Sequence, residues 1–257
     1  MGLRRKVSLA APALRDLAPG SAEWFERQRA IILSRPLVKA CYDTWYRLAL
    51  ADADSVPSDG AVIELGAGGG FLKSIRPDVV TSDVVAGVAD RAIDARSLPF
   101  ADASVRALIL TQALHHVPDV NRFFCEADRV LVPRGVISIV DVAATPFARL
   151  FFSRFHHEPF LPRLQAWSFD PTAMESNQAL SWMVFVRDRS LFQDRFPRLA
   201  VERMTRLQWL SYLLSGGVTR RNLVPRPCEP IVKAGDWMLK PLSPLLALHW
   251  HITIRKR

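Results

Sequence analysis

The sequence predicts an α/β chain built on a doubly wound, mostly parallel sheet, and three observations carry that reading. Short β-branched, apolar runs recur along the first half of the chain: AVIEL (61–65), VVTSDVV (79–85), ALIL (107–110) and VISIVDVA (136–143). The first of them ends in a glycine cluster, as a buried parallel strand does before a βα turn. Between the last two, NRFFCEADRVLV (121–132) has helical periodicity and is stopped by PRG (133–135). Strands alternating with connections of this length place helices on both faces of a parallel sheet.

The remaining elements follow in chain order. Residues 21–50 read as helix with Ser21 as N-cap, kinked or split by Pro36. DADSVPSDG (52–60) is a turn-rich linker. Residues 1–57 therefore read as an N-terminal helical extension, with Trp24, Phe25, Tyr42, Trp45 and Tyr46 available for packing and a partial lid. Residues 58–257 form the main domain. Within it, 145–182 is an aromatic-rich insertion and 207–250 an amphipathic stretch. RSLFQDRF (189–196) is a helix candidate, LAVERM (199–204) a strand, and LQWLSYLLSGG (207–217) an apolar helix with a glycine stop. HWHITIRKR (249–257) alternates like an edge strand.

Composition narrows the classes of function. Nearly half the residues, 49%, are apolar, which argues for a packed domain rather than a disordered chain. No apolar stretch reaches the ~18–20 residues that span a bilayer. The N-terminus begins like a signal peptide, but Pro12, Arg15 and Asp16 interrupt its apolar run. Lys6 stands where a myristoylation signal needs Ser or Thr. The expected location is the cytoplasm. Cys41, Cys125 and Cys228 are far apart, with no ligand spacing, and read as reduced structural thiols. The net charge of +9 is concentrated late: residues 141–257 hold seventeen basic and nine acidic side chains. That asymmetry suits an anionic partner such as acidic lipid headgroups, phosphorylated glycans or nucleic acid, and equally an ordinary solvated surface.

The chemistry lies in Glu64-Leu-Gly66-Ala67-Gly68-Gly-Gly70, directly after the first strand. Glycines there let the chain turn sharply and bring its backbone against a ligand. The third glycine of a dinucleotide-type GxGxxG is missing, since Phe71 takes its place and Gly70 comes one position early. Glu64 would repel a pyrophosphate but suits the ammonium of a methionine moiety. Asp83 falls at the tip of the second strand, where a carboxylate can bond ribose hydroxyls or cap the following turn.

VIELGAGGGFLK, SDVV, DARSLPFADASVRALILTQALHHVPD and FFCEADRVLVPRGVISIVD (together about residues 61–143) resemble, in order and spacing, the motifs of class I S-adenosylmethionine-dependent methyltransferases. The similarity is greatest to the type 11 subgroup that includes ubiquinone and menaquinone C-methyltransferases. The resemblance implies a Rossmann-like, seven-stranded, mostly parallel sheet and S-adenosyl-L-methionine as cofactor. It implies that Glu64, Gly66, Ala67, Gly68 and Gly70 line the methionine end, that Asp83, with Val84 beside it, holds the ribose, and that Asp94, with Ala95, faces the adenine. Gln112 would face the transferring methyl. More loosely, the rest of the chain, including SGGVTRRNLVP (215–225), is similar to bacterial methyltransferases of envelope polysaccharide synthesis.

His115 and His116, at the carboxyl end of a parallel strand, are candidate catalytic bases, although one can equally pack and the other bond a carbonyl. His156, His157 and Glu158 form a second polar cluster, read as a surface loop or acceptor contact; no metal site is expected, because adjacent histidines point apart. Gln-Ala-Leu-His replaces the Asn/Asp-Pro-Pro-Tyr/Phe tetrapeptide of nucleic-acid amino-methyltransferases. The expected acceptor is a small molecule, lipid or glycan. Trp237, Met238, Lys240 and Leu245–Leu248 suggest peripheral contact with the inner membrane. The alternatives are an RNA or protein methyltransferase, or a non-catalytic scaffold that binds S-adenosylmethionine.

Overall fold

The computed structural model describes residues 11–257 apart from 157, 173 and 208. The signal-like reading of the first ten residues and the expectation for His157 lie outside the described residues. Seven strands, β1 (Ala61–Leu65), β2 (Val80–Asp83), β3 (Arg91–Ala92), β4 (Val105–Thr111), β5 (Leu131–Val142), β6 (Leu199–Arg206) and β7 (His249–Lys256), form one sheet. Their order is β3-β2-β1-β4-β5-β7-β6. The first five are parallel, and β7 runs antiparallel to both β5 and β6. This is the Rossmann-like class I arrangement expected from the sequence.

The helices are α1 (Ala22–Ser34), α2 (Pro36–Asp54), α3 (Leu72–Ile75), α4 (Val120–Val130), α5 (Pro146–Arg154), α6 (Leu180–Trp182), α7 (Arg189–Arg195), α8 (Leu210–Ser215), α9 (Glu229–Met238) and α10 (Ser243–Leu246). Ser21 caps α1 by accepting from the Trp24 N–H. Pro36 occupies the first turn of α2, where its missing N–H is harmless, so the N-terminal helix is split and not merely kinked. No described helix is long and apolar enough to cross a membrane.

Three sequence expectations need correction. Arg91–Ala92 makes a short third strand on the sheet edge that has no apolar signature. PRG does not separate α4 from β5: the strand already begins at Leu131, and the tripeptide is an irregularity within it, with Val105 opposite Leu131 and Ala107 opposite Val136. Nor is β7 an edge strand, because β6 covers its outer side.

Side chains alternate across the sheet, as the strand period requires. Leu108 and Leu110 join the core under α4 and α7 with Ile63, Leu65, Phe123 and Phe192. Ala107 and Ile109 join the opposite core, which α2 fills with Cys41, Trp45 and Ala49. The polar face of β7 lies on that second side, and α2 satisfies it. Buried Asp52 accepts from Ser138 and Thr253 (both 2.9 Å) and from Arg203 (2.7 Å), with His251 Nε2 also 2.9 Å away. Burial alone would raise the Asp52 pKa, but hydrogen bonds from His251, Thr253 and Ser138 hold it below the usual carboxylate value. One carboxylate thus ties α2 to β5, β6 and β7.

Candidate active site

The loop leaving β1 turns on Gly66 (φ 69°) and Gly68 (φ 47°). A Cβ at Gly66 would lie 2.7 Å from that of Ala113, so only glycine lets β1's loop and the turn after β4 approach this closely. Backbone bonds fix the loop: Ala67 N–H donates to Ser82 (2.9 Å) and Gly70 N–H to Ala67 (2.7 Å). Asp83, at the end of β2, accepts from Gly68 N–H through Oδ2 (2.9 Å) and from Val85 N–H through Oδ1 (3.0 Å). The predicted neighbours of Asp83, Glu64 on β1 and Gly66, Ala67, Gly68 and Gly70 in the loop after it, are therefore brought to one place.

Helix α1 lies over this loop. The Phe25 ring sits against Gly68, and Arg29 donates to the carbonyls of Gly70 (2.7 Å), Gly68 (3.3 Å) and Val88 (3.4 Å). Of the expected lid aromatics, Tyr42, Trp45 and Tyr46 are buried in the core beneath α1, and two reach loop glycines: Phe25 from α1 lies against Gly68, and the Tyr46 hydroxyl against Gly70. Tyr46 accepts from Phe71 N–H (3.1 Å). Arg29 and Tyr46 were not singled out from sequence for this role; an arginine one helical turn from aromatic residues carries no signal by itself.

Glu64 is buried, and its Oε2 has no hydrogen-bond partner. Burial pushes its pKa to about 8, with Arg29 acting against the shift and Asp83 adding to it. A carboxyl raised in the folded chain contributes stability that is complete below its unfolded value, near 4.3, and is lost as pH rises towards 8. The ligand-free protein is thus expected to lose stability over that window, by at most ~4 kcal/mol from this group. Glu64→Gln should flatten the decline in urea unfolding measured at pH 5 and pH 8; an unchanged slope would show that Glu64 ionises freely.

Asp94 is held by Arg96, whose Nη2 is 2.6 Å away and whose N–H donates to Oδ1 at 2.9 Å. These bonds keep its pKa low against a smaller effect of burial. Ala95 packs on the core, and Val84 is exposed. Gln112 follows β4 with φ 57°, donates its N–H to Val140 (2.7 Å) and leaves Nε2 buried without a partner.

Three residues further on, the chain delivers His115 onto β5. Buried Asp141 accepts from His115 N–H (3.1 Å) and lies 2.6 Å from His115 Nδ1. Burial disfavours the His115 imidazolium, but Asp141 and Glu158 outweigh it and raise the pKa. Glu158 comes from the insertion and faces both rings, 3.6 Å from His115 Nε2 and 3.8 Å from His116 Nε2. Gln178 donates to it. The insertion is laid along this turn by Asn177 N–H to His115 and Val120 N–H to Trp167 (2.9 and 3.1 Å). Glu158 therefore meets His115 and His116, whereas His156 packs its ring against Phe152. Asp141 carries a sequence signal, a carboxylate inside an otherwise apolar strand, but nothing in the sequence pairs it with His115.

Residues 63–139 match the family model for a methyltransferase domain. The chain carries a class I, S-adenosylmethionine-dependent methyltransferase domain. In fold it is similar to a geranyl diphosphate C-methyltransferase from Streptomyces coelicolor A3(2), solved with Mg2+, geranyl-S-thiolodiphosphate and S-adenosyl-L-homocysteine. Identity is 15%, with 97% of this chain and 85% of that one covered at a TM-score of 0.52. It is also similar to the methyltransferase solved in complex with the Haloferax volcanii Trm112 methyltransferase activator, at 13% identity, 89% and 96% coverage and a TM-score of 0.50. At these identities the likeness concerns the fold.

The residues of the methyltransferase domain fit its cofactor. Glu64 Oε2 is a buried acceptor and Gln112 Nε2 a buried donor, both without protein partners, and in the glycine loop Gly66 is exposed while Gly68, Gly69 and Gly70 are covered. Buried polar atoms of this kind are costly unless a ligand or water meets them.

Proposed function

We propose that the chain transfers the methyl group of S-adenosylmethionine to a hydroxyl or activated carbon of a lipid-linked acceptor presented at a membrane surface, as envelope assembly uses. The cofactor supplies a sulfonium methyl that is already electrophilic; the chain's task is to hold it and align the acceptor. Glu64 and the glycine loop hold the methionine end, Asp83 the ribose, and Asp94 with Ala95 the adenine. Gln112 orients the reacting end. The acceptor's proton is drawn off at the His115–His116–Glu158 cluster, which Asp141 positions. The observation that carries the reaction is this convergence of glycine loop, Gln112 and His115 at the carboxyl edge of β1, β4 and β5, where open α/β sheets place their ligands.

The acceptor class rests on the surface formed by α9 and α10. Ile231, Trp237 and Met238 are 71%, 78% and 70% exposed, with Leu242 and Leu245 also open. Arg226, Lys233 and Lys240 are exposed among them. The two acids of the stretch are turned inward: Glu229 is buried, and Asp236 accepts from the N–H groups of Trp209, Leu210 and Ser211. What faces outward is apolar and cationic, the pattern of an interfacial segment. Each cation contributes about 1 kcal/mol near an anionic leaflet, so charge alone gives only weak binding and the apolar side chains must insert. Beside this surface, α10 packs on α5. There Arg149, Leu150, Phe160, Leu161 and Arg163 line an open groove suited to an amphiphile with an anionic head.

Vesicle flotation tests the surface. The chain should bind vesicles containing anionic phospholipid and not neutral ones, and the triple change Ile231→Ser, Trp237→Ser, Met238→Ser should weaken binding at least tenfold. Methyl-labelled S-adenosylmethionine incubated with membrane lipid should then leave label in the organic extract. Label confined to the aqueous phase, with no vesicle binding, would exclude a lipid-linked acceptor.

A further inference from the structure

Among the described residues, His115, His116 and Glu158 bring two imidazole nitrogens and a carboxylate within 4.8 Å of one another. The protonation pattern of the two rings can be read from their partners. His115 Nδ1 faces the Asp141 carboxylate at 2.6 Å, and His116 Nδ1 faces the Glu175 carbonyl oxygen at 3.3 Å. Both partners accept, so each Nδ1 carries the hydrogen and each Nε2 of a neutral ring carries a lone pair. Those lone pairs are turned toward Glu158, at 3.6 and 3.8 Å. Three electron-rich atoms facing one point, with Gln178 also donating to Glu158, make a seat for a cation.

We propose that this point is a binding site for a divalent transition-metal ion, Zn2+ foremost, held by His115 Nε2, His116 Nε2 and Glu158. Metal bonds of about 2.0–2.2 Å to nitrogen and oxygen set tetrahedral ligands roughly 3.3–3.5 Å apart, a few tenths of an ångström inside the two Glu158 distances, so the set, now within 4.8 Å, must draw in around the ion. Rotation of the exposed His116 ring and of the Glu158 side chain supplies that adjustment around the buried His115. The surroundings are those of a built site. Metal-binding histidines donate their other ring N–H to a carboxylate or a backbone carbonyl, and His115 and His116 do one of each. Adjacency in sequence is no obstacle, because the short turn Leu114–His116 sets the two rings 4.3 Å apart and tilted by 40° rather than on opposite sides. Two histidines and one carboxylate leave coordination positions open, the mark of a site that takes a substrate oxygen.

This inference rests on the reading that the cluster faces the methyl acceptor. There the ion would bind the acceptor's hydroxyl oxygen and lower its pKa. With both imidazole lone pairs and Glu158 on the ion, the cluster acts through the ion and not as a base: the hydroxyl proton passes to solvent water, the oxygen–methyl bond forms as the sulfur–methyl bond breaks, and the bonding pair stays on sulfur in neutral S-adenosylhomocysteine.

The test uses the full chain with Cys125→Ser and Cys228→Ser, which removes the exposed thiols. After chelator treatment, Zn2+ is titrated by calorimetry and Co2+ by visible absorption, with S-adenosylhomocysteine binding measured on the same sample. One ion per chain at micromolar or tighter affinity is expected, with the absorption of low-coordinate Co2+. His116→Ala and Glu158→Gln should each weaken it at least tenfold while leaving S-adenosylhomocysteine binding unchanged. Because Glu158→Gln conserves shape, it guards against a mere folding defect. Metal binding that survives both substitutions would overturn the proposal, as would no binding in a chain that still takes S-adenosylhomocysteine. In the last case the cation between the rings and Glu158 is a proton on His115. Failure to bind S-adenosylhomocysteine would instead strike the methyltransferase reading.

Discussion

Replacing Asp141 by alanine is expected to destabilise the fold by about 3–5 kcal/mol, the largest effect of any single site change argued from this structure. Asp141 is fully buried at the carboxyl half of β5. Its two oxygens meet the backbone N–H of His115 (3.1 Å), the backbone N–H of Val142 (2.7 Å) and the Nδ1 of the His115 ring (2.6 Å). Alanine would leave all three buried donors without an acceptor, at roughly 1–3 kcal/mol each before relaxation. Asp141→Asn retains one oxygen and the shape, so its cost should be about half. Urea unfolding followed by circular dichroism measures both. A loss below about 1 kcal/mol in the alanine variant would mean that water reaches these groups and that the turn is not held by Asp141.

The second large effect concerns the cofactor. Asp83 already accepts one bond on each oxygen, from Gly68 and Val85. A carboxylate has about four acceptor positions, so two remain for ligand hydroxyls without displacing the loop. Asp83→Ala removes both functions. It should weaken S-adenosylhomocysteine binding at least tenfold, about 1.4 kcal/mol, and lower stability by a further 1–2 kcal/mol through the stranded Gly68 and Val85 N–H groups. Asp83→Asn keeps a single oxygen with fewer positions and should fall between. Equal affinities for the parent and the alanine variant would remove Asp83 from the cofactor site.

Much of the architecture was legible because its signals are local. AVIEL followed by glycines, the β-branched runs and the split at Pro36 each follow from the chemistry of a few neighbouring residues. The strand at 91–92 was not legible, since two exposed residues at a sheet edge make no pattern. β7 was misplaced for a more instructive reason. Its alternation of His251 and Thr253 with Ile252 and Ile254 reads as one wet face, yet Asp52 from α2, some two hundred positions away, satisfies that face in the interior. A buried polar strand face and an exposed one look alike in sequence until the partner is known.

The site divides the same way. Glu64, Gly66, Ala67, Gly68, Gly70, Asp83 and Gln112 were nameable because the loop and its spacing form a contiguous motif. His115 and His116 were nameable from their place after β4. Their partners were not: Asp141 lies on another strand, and Glu158 arrives from the insertion, where it was grouped with His156 and His157 because of adjacency. Arg29, on the helix that covers the glycine loop, belongs to the same class of long-range contact.

Calorimetric titration of the purified chain with S-adenosylhomocysteine tests the central claim most directly. The site described here predicts one molecule bound per chain at micromolar affinity. No heat and no change in thermal stability at millimolar ligand, in a chain whose circular dichroism shows it folded, would contradict the assignment of this loop and its carboxylates to the cofactor.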